Sequence, residues 1–163
     1  MMEIRSMNEL IDICIQEKKT IGEIMLMIEV AKTGKDQETI TSMMEERLIK
    51  MKEAVDSAIV DTSTAPSGIS GGDAVKMKDY VNQGKALTGH YIRDAMTFSL
   101  ATSECNARMG VIVATPTAGA AGILPGALFS LHKNDGTSYK DLVMGLFTAS
   151  ALGYIFSERR GPR

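Results

Sequence analysis

Apolar residues return every three or four positions along most of this chain, and the polar residues between them mark where each run starts and stops. Ser6 and Glu9 form a capping-box pattern ahead of Leu10, Ile11, Ile13, Cys14 and Ile15, a short helix that gives way to Glu17-Lys18-Lys19. A second box, Thr20 to Glu23, opens a helix carrying Ile24, Met25, Ile28 and Ala31, with Gly34 where a C′ glycine stops it. Asp36 is the N-cap expected for the longest periodic run. Ile40, Met44, Leu48, Met51, Val55 and Ile59 step by three or four, which predicts a helix of about six turns at 3.6 residues each. Glu45, Glu46, Arg47, Lys50 and Lys52 lie off that stripe and read as a solvated face.

The periodicity breaks at Asp61–Gly72, a stretch of Ser, Thr and Gly with one Pro. Composition alone fits a linker. The glycine pair also feeds directly into Asp73-Ala-Val-Lys-Met-Lys-Asp-Tyr-Val, a short helix ended by Gly84, so the stretch is equally a loop entering a helix N-terminus. Thr88 is expected to cap a long helix from His90 to about Met109, with Tyr91, Ala95, Phe98, Ala101 and Cys105 inward. From Val111 to Leu131 there is no charge. Pro116 removes a backbone donor and pushes Thr115 toward extended geometry, while Gly119 and Gly122 permit positive φ or close backbone approach. Ile123, Leu124, Ala127, Leu128 and Leu131 then fall at helical spacing, which places Pro125 in a first turn. The expectation is a buried Thr/Gly/Ala loop running into a helix N-terminus, where free N–H groups and the helix dipole favour an anion.

Asn134-Asp-Gly136 reads as a turn, and Ser138 as the cap of a last helix, Leu142–Phe156, apolar nearly all round. Val111-Ile-Val113 could form a brief strand, but no mate for it is evident, and no segment sustains period-2 alternation. The fold class is therefore all-α, about seven helices with two Gly/Ser/Thr-rich loops.

Composition sharpens this picture further. The 163 residues make one domain by length. A net charge of -2, with aromatics at 5% and no Trp, argues against a nucleic-acid surface. The N-terminus lacks a signal-peptide pattern, and Leu142–Phe156 is short of the ~20 residues a membrane helix needs, so the cytoplasm is the expected compartment. The 12 methionines, several on the long helix, read as core filling or as an adaptable partner groove. Cys14 and Cys105 read as ordinary thiols.

Candidate chemistry gathers in two places, Ser67-Gly68-Ile-Ser70-Gly71-Gly72-Asp73 and Thr115-Pro-Thr117-Ala-Gly119-Ala120-Ala-Gly122, which together suggest a shared site for a small carboxylate or phosphate. Neither has phosphate-loop spacing. Between them, Glu104 and Asn106 sit near the end of a mostly apolar helix, where a carboxylate is costly unless paired. Arg108 is one partner for Glu104; orienting a substrate is the other reading. Cys105 reads as a small core residue or a nucleophile, with no His nearby to activate it. His90 and His132 lack metal-ligand spacing and read as surface or cap residues.

In their order and spacing, Ser67–Ala74, Glu104–Ala107 and Ala114–Gly126 resemble the α subunit of iron–sulfur-dependent L-serine dehydratases, over about Ser6 to Phe156. That resemblance implies an all-helical catalytic domain working with a β subunit or domain. It implies a [4Fe-4S] cluster held by three Cys, whose open iron acts as Lewis acid on the serine hydroxyl while a base removes the α-proton, giving pyruvate and ammonia. The matching loops would bind the substrate's carboxylate and amino group through Ser67, Gly68, Ser70, Gly71, Gly72, Asp73, Glu104, Asn106, Thr115, Thr117, Gly119, Ala120 and Gly122.

The family's cluster cysteines lie further along its chains, and no residue here matches them. Residues 1–157 thus read as the N-terminal part of such a subunit, and 158–163 as a tail that departs from the family, with no dehydratase activity expected of the chain by itself. A last helix without packing partners is expected to drive self-association into dimers or larger. A non-catalytic helical module binding a small anion or a partner helix is the alternative.

Overall fold

The computed structural model describes Ile4 and residues 6–84, 87–115 and 118–158. Among the described residues seven helices follow one another: α1 (Met7–Glu17), α2 (Ile21–Thr33), α3 (Gln37–Ala58), α4 (Asp73–Asn82), α5 (His90–Ala107), α6 (Ala118–Asp135) and α7 (Tyr139–Glu158). Among the described residues there is no strand, so Val111–Val113 stays irregular, and no helix is long and apolar enough to cross a membrane. The all-α expectation holds. The charged tail beyond Glu158 lies outside the described residues.

The chain forms two compact units, Met1–Glu45 with Lys140–Arg163, and Glu46–Tyr139. In the first, α7 packs close to α2: a Cβ on Gly22 would stand 2.6 Å from the Met144 carbonyl oxygen, so only glycine fits there. Lys32 Nζ lies 4.2 Å above the Tyr154 ring. Leu142, Val143, Phe147 and Ile155 of α7 are all fully buried. The last helix therefore does not lack packing partners, which removes the basis for expecting self-association through it. Among its described large apolar side chains, Tyr139 and Phe156 are exposed.

In the second unit, α5 and α6 make the most extensive helix contact and α4 lies against α5. The α3 stripe is buried where it enters this unit: Leu48, Met51 and Val55 have almost no exposure. The methionine stripe is core filling at Met51, while Met44 is half-buried.

The helix starts are set by local chemistry. Thr20 and Glu23 complete a reciprocal box, and Ser6 Oγ accepts the Glu9 N–H at 3.2 Å. Asp36 accepts the N–H and the hydroxyl of Thr39, each at 2.8 Å. Gly34 closes α2 in the left-handed region at φ 69°. Hydrogen bonds from the Thr20 N–H and hydroxyl hold the Glu23 carboxyl below its ordinary range, and those from Thr39 do the same for Asp36. Groups with a lowered folded-state pKa stabilise above their unfolded value, about 4 for Asp and Glu, and stop doing so as pH falls through the folded one. The expected outcome is that an E23Q/D36N variant has a lower urea midpoint than the parent at pH 6, with the gap closing toward pH 3. A gap that is unchanged at pH 3 would show that the caps do not titrate in this way.

Three sequence expectations fail for tertiary reasons. Thr88 is not the cap of α5; Gly89 holds that position without a side-chain bond, leaving Thr88 one residue too early. Pro125 is not in a first turn but is the eighth residue of α6, because the Gly/Ala run from Ala118 is itself helical. Tyr91 is exposed, and the buried face of α5 is instead largely polar: Asp94, Thr97, Thr102 and Glu104 join Ala101 and Cys105. Thr97 and Thr102 satisfy their hydroxyls on the carbonyls of Arg93 and Phe98 one turn back, and Asp94 receives Lys133 and Asn134 from α6. That bonding makes a polar buried face affordable.

Candidate functional site

Gly119 and Gly122 belong to the first turns of α6, and neither has positive φ. Gly122 serves close approach: a Cβ there would stand 3.0 Å from the Ser99 carbonyl and 3.3 Å from Ser103 Oγ on α5. The uncharged stretch is not uniformly buried, since Val111 and Ile123 are mostly exposed. The expected buried loop is thus a helix entrance in an open position. Pro116 and Thr117 lie outside the described residues.

Where α6 starts and α5 ends, a cavity of about 220 Å³ is lined by Thr102, Ser103, Asn106, Ile112, Gly119, Ala121 and Gly122. It unites Asn106, Gly119 and Gly122 from the expected set. Ala120 is half-buried beside them, and Thr115 is half-buried just before the helix. Thr102 and Ser103 are additions the sequence did not single out, although Ser99, Ser103 and Asn106 recur at helical spacing. One wall carries a hydroxyl and an amide; the other carries the positive end of the α6 dipole, with the donors of a first helical turn. Such a cavity suits a small molecule bearing a carboxylate and further hydrogen-bonding groups.

The Ser67–Asp73 loop does not line this cavity. It is folded on itself, the Ala65 N–H donating to the Ser70 carbonyl and the Gly68 N–H to the Ala65 carbonyl, each at 2.8 Å. Gly71 (φ 152°) has Ser63 so close that a Cβ would stand 2.3 Å from its carbonyl oxygen, and Gly72 is left-handed at φ 76°. Ser67 and Gly68 are exposed and Ser70 is half-buried. Asp73 starts α4, its exposed carboxylate 2.9 Å from Lys76 Nζ, which raises the lysine's pKa.

Glu104 connects the two regions. It is 4% exposed, and its Oε1 accepts the Asp73 N–H at 2.5 Å, so α5 supplies the cap that Gly72 cannot. Its buried Oε2 lies 3.5 Å from Arg108 Nη1, an ion pair without hydrogen-bond geometry. Arg108 reaches on to Asp61 Oδ2 at 3.1 Å and the Ser63 carbonyl at 3.0 Å. Asp61 is held below its usual range by the hydroxyl and N–H of Ser63 and then by Arg108. The pairing of Glu104 with Arg108 is thus present, and Glu104 also holds the Asp73 N–H at the end of the serine–glycine loop.

Arg108 and Cys105 also line a smaller cavity of about 160 Å³ with Ser57, Ala58, Asp61 and Gly110. Cys105 is buried, with only weak sulfur contacts to Ser57 Oγ and the Val111 carbonyl, as expected of a core residue. His132 Nδ1 lies 2.7 Å from the Thr137 carbonyl at the end of α6, and His90 is exposed beside Tyr91 at the start of α5, so both are the surface or cap residues expected.

Among the described residues no three His, Cys, Asp or Glu side chains are grouped to hold a metal, and the two cysteines lie on α1 and α5 in separate units. These residues do not fit a three-cysteine cluster site.

Residues 16–162 match the family model described as serine dehydratase alpha chain. The chain is 39% identical to a probable L-serine dehydratase alpha chain of Bacillus subtilis (strain 168) over 151 residues, 93% of this chain and 50% of that protein. It is 26% identical to the L-serine dehydratase alpha chain of Peptoniphilus asaccharolyticus over 155 residues, 95% of this chain and 53% of that one. A probable L-serine dehydratase alpha chain of Latilactobacillus sakei is 45% identical over 62 residues, 38% of this chain and 30% of that protein. The chain spans about half the length of the first two.

Proposed function

Because the chain belongs to the serine dehydratase alpha chain family, we propose that its part in the removal of water from L-serine is to hold the substrate in the cavity between α5 and α6. The supporting observation is the make-up of that cavity, where the N-terminal turn of α6 faces Ser103 and Asn106 across about 220 Å³. The serine carboxylate sits at the α6 end, where the helix dipole favours negative charge. The Asn106 amide and the Ser103 hydroxyl orient the amino and hydroxyl groups. Gly119 and Gly122 keep the wall free of side chains so that the ligand reaches the backbone. Thr115 and Ala120 belong to the same entrance. The serine–glycine loop, Ser67 to Asp73, lies outside this cavity and is kept in place by Glu104 of the same helix as Ser103 and Asn106.

Cluster ligation falls to residues other than these, as does the companion β subunit's share of the reaction. The ligand count favours a chain that binds and does not turn over when taken by itself. No pyruvate is expected from L-serine and this chain after anaerobic iron–sulfur reconstitution; a measurable rate would sink the binding-only role. Titration calorimetry with L-serine is expected to show saturable heat. Asn106→Ala should weaken binding by about tenfold or more, the worth of a hydrogen bond to a charged group. Equal affinity in parent and variant would move the site elsewhere.

A further inference from the structure

The α5–α6 pair runs antiparallel, as its contacts show in sequence. Gly122 meets Ser99 and Ser103, Gly126 meets Ala95 and Ser99, and the Ser130 hydroxyl donates to the Tyr91 carbonyl at 2.7 Å. Beside this contact row, each helix carries a second row at four-residue spacing: Ile92, Met96 and Leu100 on α5, and Ile123, Ala127 and Leu131 on α6. In an antiparallel pair of right-handed helices, two rows offset by one step in the same rotational sense come out on the same side. All six residues are exposed, Ile92 at 55% and Ile123 at 64%, and none is charged. The result is one continuous apolar face, of a kind that a water-facing surface does not retain without a use.

We propose that this face seats the half of the serine dehydratase alpha chain that this chain's alignment does not cover, whether joined to it or separate. Two observations select that occupant. The relatives are about twice as long as the matched region, so each has a further half of comparable size to place. The face also runs to the mouth of the cavity: Leu100 lies one turn before Ser103, and Ile123 directly follows Gly122, with Ser103, Asn106 and Gly119 open to solvent. A polypeptide lying on the two rows therefore covers the cavity's open side and brings its own side chains to the substrate. An uncharged face also predicts that docking is insensitive to salt. The proposal rests on the substrate-holding reading of that cavity.

The test is co-expression of this chain with a tagged polypeptide comprising the part of the Bacillus subtilis relative outside the alignment. Recovery of both in equal amounts, unchanged between low and high salt, is expected. An L100E/I123E variant should lose at least tenfold of the recovery while its helix content and melting temperature stay at the parent's values, since both positions are exposed. An I15E variant, with its change on α1, should be recovered as well as the parent. No co-recovery, equal recovery of L100E/I123E, or a homodimer of this chain that L100E/I123E splits would overturn the proposal, the last by making a second copy the occupant. Co-recovery that L100E/I123E abolishes, in a chain that does not bind serine, upholds the docking face and removes only the substrate reading.

Discussion

Glu104→Ala is expected to lower the unfolding free energy by about 2–4 kcal/mol, the cost of a lost hydrogen bond to a buried carboxylate and of a weakened buried ion pair. The carboxylate is 4% exposed, and its removal leaves the Arg108 guanidinium, only 12% exposed along its side chain, with Asp61 as its remaining carboxylate partner. It also strips the Asp73 N–H of its acceptor, and with it the only side-chain cap on α4, because Gly72 has none to offer. Glu104→Gln separates the two losses, since an amide oxygen can still accept the Asp73 N–H while no longer balancing Arg108. The ordering expected in urea unfolding is parent, then Gln, then Ala. A drop for Glu104→Ala of under about 1 kcal/mol, the level of an ordinary surface change, would mean that the network does not hold the loop to α5. Asp73→Ala serves as the contrast: its own carboxylate faces solvent and Lys76, so little is lost.

The second large effect has the opposite sign to what helix propensity predicts. Alanine is favoured over glycine inside a helix by about 1 kcal/mol. At Gly126, however, a Cβ would stand 2.1 Å from Ser99 Oγ and 2.6 Å from the Ala95 carbonyl oxygen. The serine hydroxyl can rotate away, but the carbonyl is backbone, so α5 and α6 must separate. Gly126→Ala is therefore expected to destabilise by ~2 kcal/mol and to lower Tm by ~4–8 °C. Adding Ser99→Ala should recover only part of this. Gly153→Ala, on α7 with nothing within 4 Å of the added Cβ, should instead gain by about 0.5–1 kcal/mol. If both glycine variants move Tm upward, the helix pair is not closed as tightly as Gly126 indicates. Because Gly122 lines the cavity one turn before Gly126, the same separation should also weaken serine binding.

The features that were legible in the sequence are those decided within one helical turn. Thr20 with Glu23, Asp36 with Thr39, and Gly34 fix their helix ends through bonds spanning three or four residues, so the residues alone announce them. The start of α6 could not be read in this way. Ala118 to Gly122 looks like a loop because glycine weakens a helix, and it is helical here beside Ser99 and Ser103, some twenty residues earlier in the chain. The buried face of α5 was misread for the same reason, as Asp94 and Glu104 are satisfied by α6 and by the start of α4. Within the site, Asn106, Gly119 and Gly122 stood out by type. Thr102 and Ser103 did not, because hydroxyls on a helix usually bond their own backbone, as both do here.

The first unit is discontinuous, built from Met1–Glu45 and Lys140–Arg163, whereas the second is one unbroken segment. On a ribosome, Glu46–Tyr139 can finish folding before the first unit has all its parts. At 5–20 residues per second, α1 and α2 wait about 5–20 s for the chain that becomes α7. During that interval α2 lacks α7, whose Met144 packs against Gly22. The order of synthesis thus leaves α1 and α2 open to aggregation until α7 has emerged.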